Sequence, residues 1–405
     1  MTLEQTIKDH PHFTIHNLPY GVYSTQVKSK RVGVAIGDHI LDLSALFDWG
    51  IFQPEINDNV FAKEQLNDFI ALGSTVWAET RKKLKELVTN KLSFIEENEA
   101  MLLDKQSEAT MYVPVHVGDY TDFYSSEEHA SNVGKMFRPA ADPLLPNWKH
   151  MPIAYHGRSS SIITTNTPVK RPHGQILKGD EVIYAPSQTL DIEIELGFII
   201  GKENTLGVPV NIKEATEYIF GCVLLNDFSA RDIQRWEYQP LGPFLGKNFA
   251  TAISPWIITY DALKEFLTEA PVQKPAVLAY LDQTDRKNFD IDIHFNIKTK
   301  NHQANIAVTN AKFLYWTAEQ QIAHHTVNGC NLRIGDLLGT GTISGKEKKS
   351  FGSLLEITWN GKEKIMIGNE ERTFLENGDT AILTAFCQRE EKRIGFGELS
   401  NLITG

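Results

Sequence analysis

Residues 191–196 read Asp-Ile-Glu-Ile-Glu-Leu, acid alternating with aliphatic at a period of two. That is the period of a β-strand, so Asp191, Glu193 and Glu195 are expected on one face and Ile192, Ile194 and Leu196 on the other. Same-face neighbours on a strand stand about 6–7 Å apart, close enough for like charges to repel. A divalent cation between Glu193 and Glu195 would relieve that repulsion. A solvated acidic edge strand, which discourages pairing with other chains, fits the same pattern. The alternation alone leaves both readings open.

Other segments carry groups that could work with these acids. Gly118–His129 crowds Asp122, Tyr124 and His129 into twelve residues without clear periodicity, and reads as a loop or distorted turn. His129 taken alone suits a surface histidine. Residues 134–158 add Arg138, Lys149, His150, Tyr155, His156 and Arg158 among prolines and glycines. Such a loop suits an anionic small molecule or, more simply, solvent. Asp227 follows the apolar run Gly221–Leu225 and is expected at a strand end, as a ligand or as a helix N-cap. After Gln234 and Tyr238, two glycines and two prolines within Pro240–Phe249 stiffen the backbone around Lys247. A lysine held there is a counter-ion for acids or an electrophilic catalyst. Gly339–Gly345 lacks the spacing of a phosphate loop, although Thr342 could hydrogen-bond a ligand. Glu356 sits among Leu354, Leu355, Ile357 and Trp359, which read as an apolar strand. A carboxylate buried there needs a partner, and His129 would supply one as an oriented general base.

Residues 32–36 and 39–43 look like neighbouring strands joined at Gly37-Asp38. From 60 to 103 apolar positions recur at helical spacing among Lys and Glu. A polar segment near 104–117 ends this pattern, so one domain is expected over 1–117 and a second over 118–405. The second is rich in short strands, expected at 191–200, 220–226, 253–259, 276–281, 288–298, 354–359, 363–367 and 380–387, with a helix over 311–325.

The formal net charge of −11 argues against nucleic acid as a partner. Cys222, Cys330 and Cys387 are odd in number and widely spaced, which disfavours a zinc knuckle or a disulfide framework and fits a reducing compartment. No apolar run reaches the roughly 20 residues of a membrane span, so a cytoplasmic protein without a membrane partner is expected.

Several long runs resemble the fumarylacetoacetate hydrolase family: DYTDFYSSEEHASNVGKMFR, LLPNWKHMPIAYHGRSSSI, LDIEIELGF, LNDFSARDIQRWEYQPLGPFLGKNF, HHTVNGCNLRIGDLLGTGTISG and SFGSLLE, in matching order and spacing. The resemblance is strong over about 115–400 and weaker before. It implies a mainly β (α+β) fold, with a small SH3-like N-terminal β-barrel domain bearing helices and a large C-terminal mixed β-sandwich roll, assembled as a homodimer. It implies a calcium or magnesium ion held by Asp122, Glu193, Glu195 and Asp227, with Lys247 and Thr251 beside an adjacent cation site. It assigns His129 as base, oriented by Glu356, with Arg231, Gln234 and Lys247 stabilising charge. Tyr124, Arg138, Tyr155, Gln234, Tyr238 and Thr342 would contact substrate.

The expected reaction is hydrolysis of the C–C bond of 4-fumarylacetoacetate, a dicarboxylate β-diketone, to fumarate and acetoacetate, the last step of tyrosine and phenylalanine degradation. Related acylpyruvate hydrolases and keto-acid hydratases or decarboxylases share the acidic metal set and form the alternative. An all-oxygen donor set suits a hard cation.

Overall fold

The computed structural model describes residues 2–138, 140 and 142–405. A long sheet runs in the order Leu103–Lys105, His39–Asp42, Arg31–Ile36, Tyr20–Ser24, Trp256–Thr259, Ile219–Asp227, Ile194–Ile200, Leu337–Gly339, Tyr120–Phe123 and Ala154–Gly157. Strands from the first hundred residues therefore continue the ladder of the later ones, through the pairs Tyr20 with Ile257 and Gly21 with Trp256. The early hairpin forms as expected: Ile36 pairs with His39, and Gly37 takes a φ of +56°, which glycine adopts without a Cβ clash. The helix Ser74–Asn90 buries Leu84, Leu87 and Val88 at three- and four-residue spacing. These side chains share one core with Tyr20 and Val22 and with Phe220 and Val223 of the later strands.

A second sheet has the order Gln303–Asn310, Asp292–Lys298, Thr380–Arg389, Lys392–Thr404 and Val169–Lys170. Along Asp292–Lys298 burial alternates, with Ile293, Phe295 and Ile297 inward. They share a core with Leu196, Phe198, Cys222 and Leu224 of the long sheet. Ile194–Ile200 and Ile219–Asp227 are instead buried at every position, because both faces of the long sheet are covered here. Any acid on these strands is therefore out of water and needs partners.

Several expected elements differ, among them the helix expected over 311–325, which spans only Ala318–Thr326. The acidic run is not one continuous strand: Leu190–Asp191 pairs with Ser229–Ala230, and the main strand begins at Ile194. The break has a local cause, since Asp191 Oδ1 accepts the Ile192 N–H and Asn226 Oδ1 accepts that of Glu193, taking both donors from the ladder. Nor is it a wet edge, for Asp191, Glu193 and Glu195 are all buried. Glu356 lies on a one-turn helix, Leu354–Ile357, and the segment 276–281 forms no strand. The His129 segment is ordered as well, with the helix Glu127–Phe137 starting at an N-cap in which Ser126 accepts the His129 N–H.

Candidate active site

Four acids on or next to strands in one half of the long sheet converge. Asp122 comes from Tyr120–Phe123, Glu195 from Ile194–Ile200 and Asp227 from the end of Ile219–Asp227; Glu193 precedes the second of these. Each offers a carboxylate oxygen within 4.8 Å of the others, and all four are buried. Asp227 does not serve as a helix N-cap, since Ala230 holds that position for Arg231–Glu237. Close approach depends on missing side chains: a Cβ on Gly339 would stand 2.8 Å from Asp122 Oδ1 and 3.1 Å from Glu195 Oε2. The next glycine, Gly341, has φ +73° and donates its N–H to Glu195 Oε2 at 3.0 Å. The Gly339–Gly345 segment therefore lines the acid cluster, a use its spacing did not reveal.

Positive charge is spread unevenly over the cluster. Lys247 Nζ contacts Glu193 Oε2 at 2.6 Å and also Asp227. Arg231 Nη2 lies 2.6 Å from Glu193 Oε1. Burial opposes charge on Glu193, but Lys247 and Arg231 outweigh it and hold that carboxyl below its usual range. At Asp122 and Glu195 the attraction of Lys247 is outweighed, and burial plus the charge of neighbouring acids pushes both well up. Asp122 Oδ1 and Glu195 Oε1 are buried without a hydrogen-bond partner among the described residues. Two orphaned carboxylate oxygens in an all-oxygen cluster fit a hard divalent cation, and the set lacks the sulfur and nitrogen that zinc or copper sites favour. Thr251 donates to Asp227 Oδ1 at 3.3 Å, and Tyr155 donates its hydroxyl to Asp227 Oδ2 at 3.0 Å.

His129 and Glu356, 227 residues apart, meet with Nδ1 2.6 Å from Oε2. Asn132 donates to Glu356 Oε1 at 3.0 Å, while Ser344 and Ser353 each donate to Oε2 at 2.9 Å. Burial works against charge on Glu356, but His129 and these donors outweigh it and keep the carboxyl low. Asn132 stands three residues beyond His129, one turn along the same helix face. That signal becomes readable only once the segment is known to be helical. The pair lies beside the acid cluster, because Ser353, which donates to Glu356, is bridged through its backbone to Glu193.

The remaining expected residues divide by position. The Tyr124 ring stands edge-on to His129 at 5.3 Å between centroids. Gln234 Oε1 accepts from Arg231 Nη1 at 3.1 Å. Thr342 is buried next to Gly352, on the segment leading to Glu356. Arg138 follows the His129 helix and donates to the Pro143 carbonyl at 2.9 Å. Tyr238 is 43% exposed, and no side-chain contact ties it to the cluster among the described residues.

Residues 16–114 match the family model described as Fumarylacetoacetase N-terminal, and residues 119–404 match that described as Fumarylacetoacetate (FAA) hydrolase C-terminal. The curated fumarylacetoacetase of Dictyostelium discoideum is 47% identical, covering 98% of this chain and 96% of its own. That of Homo sapiens is 47% identical over 96% of each, and that of Caenorhabditis elegans 48% over 95% of each. Among solved structures, a fumarylacetoacetate hydrolase from Exiguobacterium antarcticum aligns with a TM-score of 0.54 at 17% identity, over 96% of this chain and 99% of that one. A maleylpyruvate hydrolase from a Sphingobium species aligns at 0.51 and 16% over the same shares. At such identities the likeness concerns the fold.

Proposed function

The chain belongs to the fumarylacetoacetate hydrolase family, and on that premise we propose that it cleaves 4-fumarylacetoacetate to fumarate and acetoacetate. The observation that carries this reading is the buried His129–Glu356 pair beside four carboxylates with two orphaned oxygens. Asp122, Glu193, Glu195 and Asp227 would hold calcium or magnesium, both of which take carboxylate oxygens, with Lys247 and Thr251 beside them. When bound, such a cation would supply Lewis-acid stabilisation of negative charge developing on the substrate.

The chain's own groups account for the rest. Glu356 accepts a hydrogen bond from the His129 Nδ1–H, which leaves Nε2 as the basic ring nitrogen. Nε2 takes a proton from water, and the oxygen adds to the carbonyl carbon. Lys247, Arg231 and Gln234 stabilise the resulting alkoxide. Gln234 is oriented for this, because its oxygen already accepts from Arg231 and its amide N–H groups remain to donate. Collapse breaks the C–C bond, and the electron pair leaves on the acetoacetate fragment, which takes the proton back from His129. Tyr124, Tyr155 and Thr342 contact substrate in this proposal, and Arg138 and Tyr238 bind its outer carboxylate.

The division into 1–117 and 118–405 and the homodimeric state implied by the resemblance belong to the same proposal. A cytoplasmic location is supported by three unpaired cysteines. No described helix is long and apolar enough to cross a membrane. The test is to follow loss of the diketone absorbance of fumarylacetoacetate with purified protein, against acylpyruvates. Preference for an acylpyruvate would replace this substrate with the alternative one.

A further inference from the structure

Asp191 is the one member of the acidic run left without a task. It is completely buried, and its two oxygens accept four N–H groups. Oδ1 takes the backbone N–H of Ile192 at 2.8 Å and of Leu354 at 2.7 Å. Oδ2 takes Arg231 Nε at 2.8 Å and the backbone N–H of Leu355 at 3.0 Å. An ionised carboxylate has about four acceptor positions, so its capacity is filled.

The donors belong to parts of the site that are remote in sequence. Arg231 opens the helix Arg231–Glu237, reaches Glu193 with Nη2 and supports Gln234 with Nη1. Leu354 and Leu355 open the one-turn helix that carries Glu356. No other side chain among the described residues hydrogen-bonds both Arg231 and this turn. A single helical turn has little stability of its own, so its placement depends on outside ties such as this one. The neighbouring ties run through backbone: the Ile194 N–H donates to the Gly352 carbonyl at 2.8 Å, and the Arg231 N–H to the Thr189 carbonyl at 3.0 Å. These fix the strands but not the guanidinium.

We propose that Asp191 is a positioning residue that holds Arg231 in register with the Glu356 turn, and so sets the charge-stabilising groups against the base. This rests on the function proposed above. Misplacing a catalytic group by about 1 Å costs on the order of 100-fold in rate. Asp191→Asn keeps an acceptor for the Leu354 N–H but presents an amide to Arg231. It is expected to lower kcat about 100-fold, with KM within about threefold and cation affinity unchanged.

A double-mutant cycle supplies the readout that general loosening of the fold would not move. In an Arg231→Met background, Asp191→Asn should cost less than about threefold more, because its effect passes through Arg231. If Asp191→Asn does not fold, Asp191→Glu with Arg231→Lys carries the same cycle. Losses that multiply in the double variant, or a single variant with wild-type kcat, would overturn the assignment while wild-type hydrolysis leaves the proposed function standing. A wild type inactive on fumarylacetoacetate would overturn both.

Discussion

Glu356 and the pair Asp122–Glu195 are all buried carboxylates, yet their surroundings are opposite. Glu356 is met by His129, Asn132, Ser344 and Ser353, and its charge is favoured. Asp122 and Glu195 each keep an orphaned oxygen and face other acids, so their charge is disfavoured. The contrast separates two kinds of buried acid. One is completed by the fold and stays charged to orient a base. The other is left incomplete at a cost in stability, as expected where a cation finishes the arrangement.

Substitutions should act differently on the two. Glu195→Ala is expected to remove the cation and lower kcat/KM by about 10³-fold or more, and chelation of the wild type should match it. Activity that survives both treatments would break the contrast at its stronger end. Glu356→Gln should lower kcat about 10²- to 10⁴-fold while KM stays within about threefold, as steady-state kinetics would show, with the cation still bound.

Stability should move in opposite directions. In cation-free protein at pH 8, Asp122→Asn should gain on the order of 1 kcal/mol by removing a disfavoured charge, whereas Glu356→Gln should lose about 1–3 kcal/mol by disturbing a satisfied one. Denaturant melts of both variants check the signs. The pH dependence follows. Asp122 and Glu195 have raised folded-state pKa values, so the folded state holds more protons than the unfolded chain from the ordinary carboxylate range upward. Cation-free stability therefore falls as pH rises through that window, and saturating calcium or magnesium should flatten the decline. A decline unchanged by cation would show that the two carboxyls are not where it binds. The smallest effect is expected at exposed Tyr238, where Tyr238→Phe should raise KM no more than about fivefold, the scale of one peripheral hydrogen bond.

Local chemistry was legible in the sequence where it repeated or turned sharply. The acid alternation pointed to Glu193 and Glu195, and Gly37-Asp38 marked its hairpin. What stayed hidden depended on distant contacts. Nothing in the spacing of His129 and Glu356 announces that they touch. A helix as short as Leu354–Ile357 is too brief for periodicity to register. The solvated reading of Asp191 stayed open because its four donors come from the backbone of Ile192 and from two segments far along the chain. Its burial reflects these distant segments packing over it, which no window of sequence contains.

The central claim is that the four-carboxylate cluster is a hard-cation site completed on binding. Calorimetric titration of chelator-treated protein with magnesium and with calcium, repeated in buffers of different ionisation enthalpy, tests it most directly. The expected result is saturable binding with release of protons from the raised carboxyls, lost in Glu195→Ala and kept in Glu356→Gln. Binding that survives Glu195→Ala, or a wild type that takes up neither ion, would contradict it.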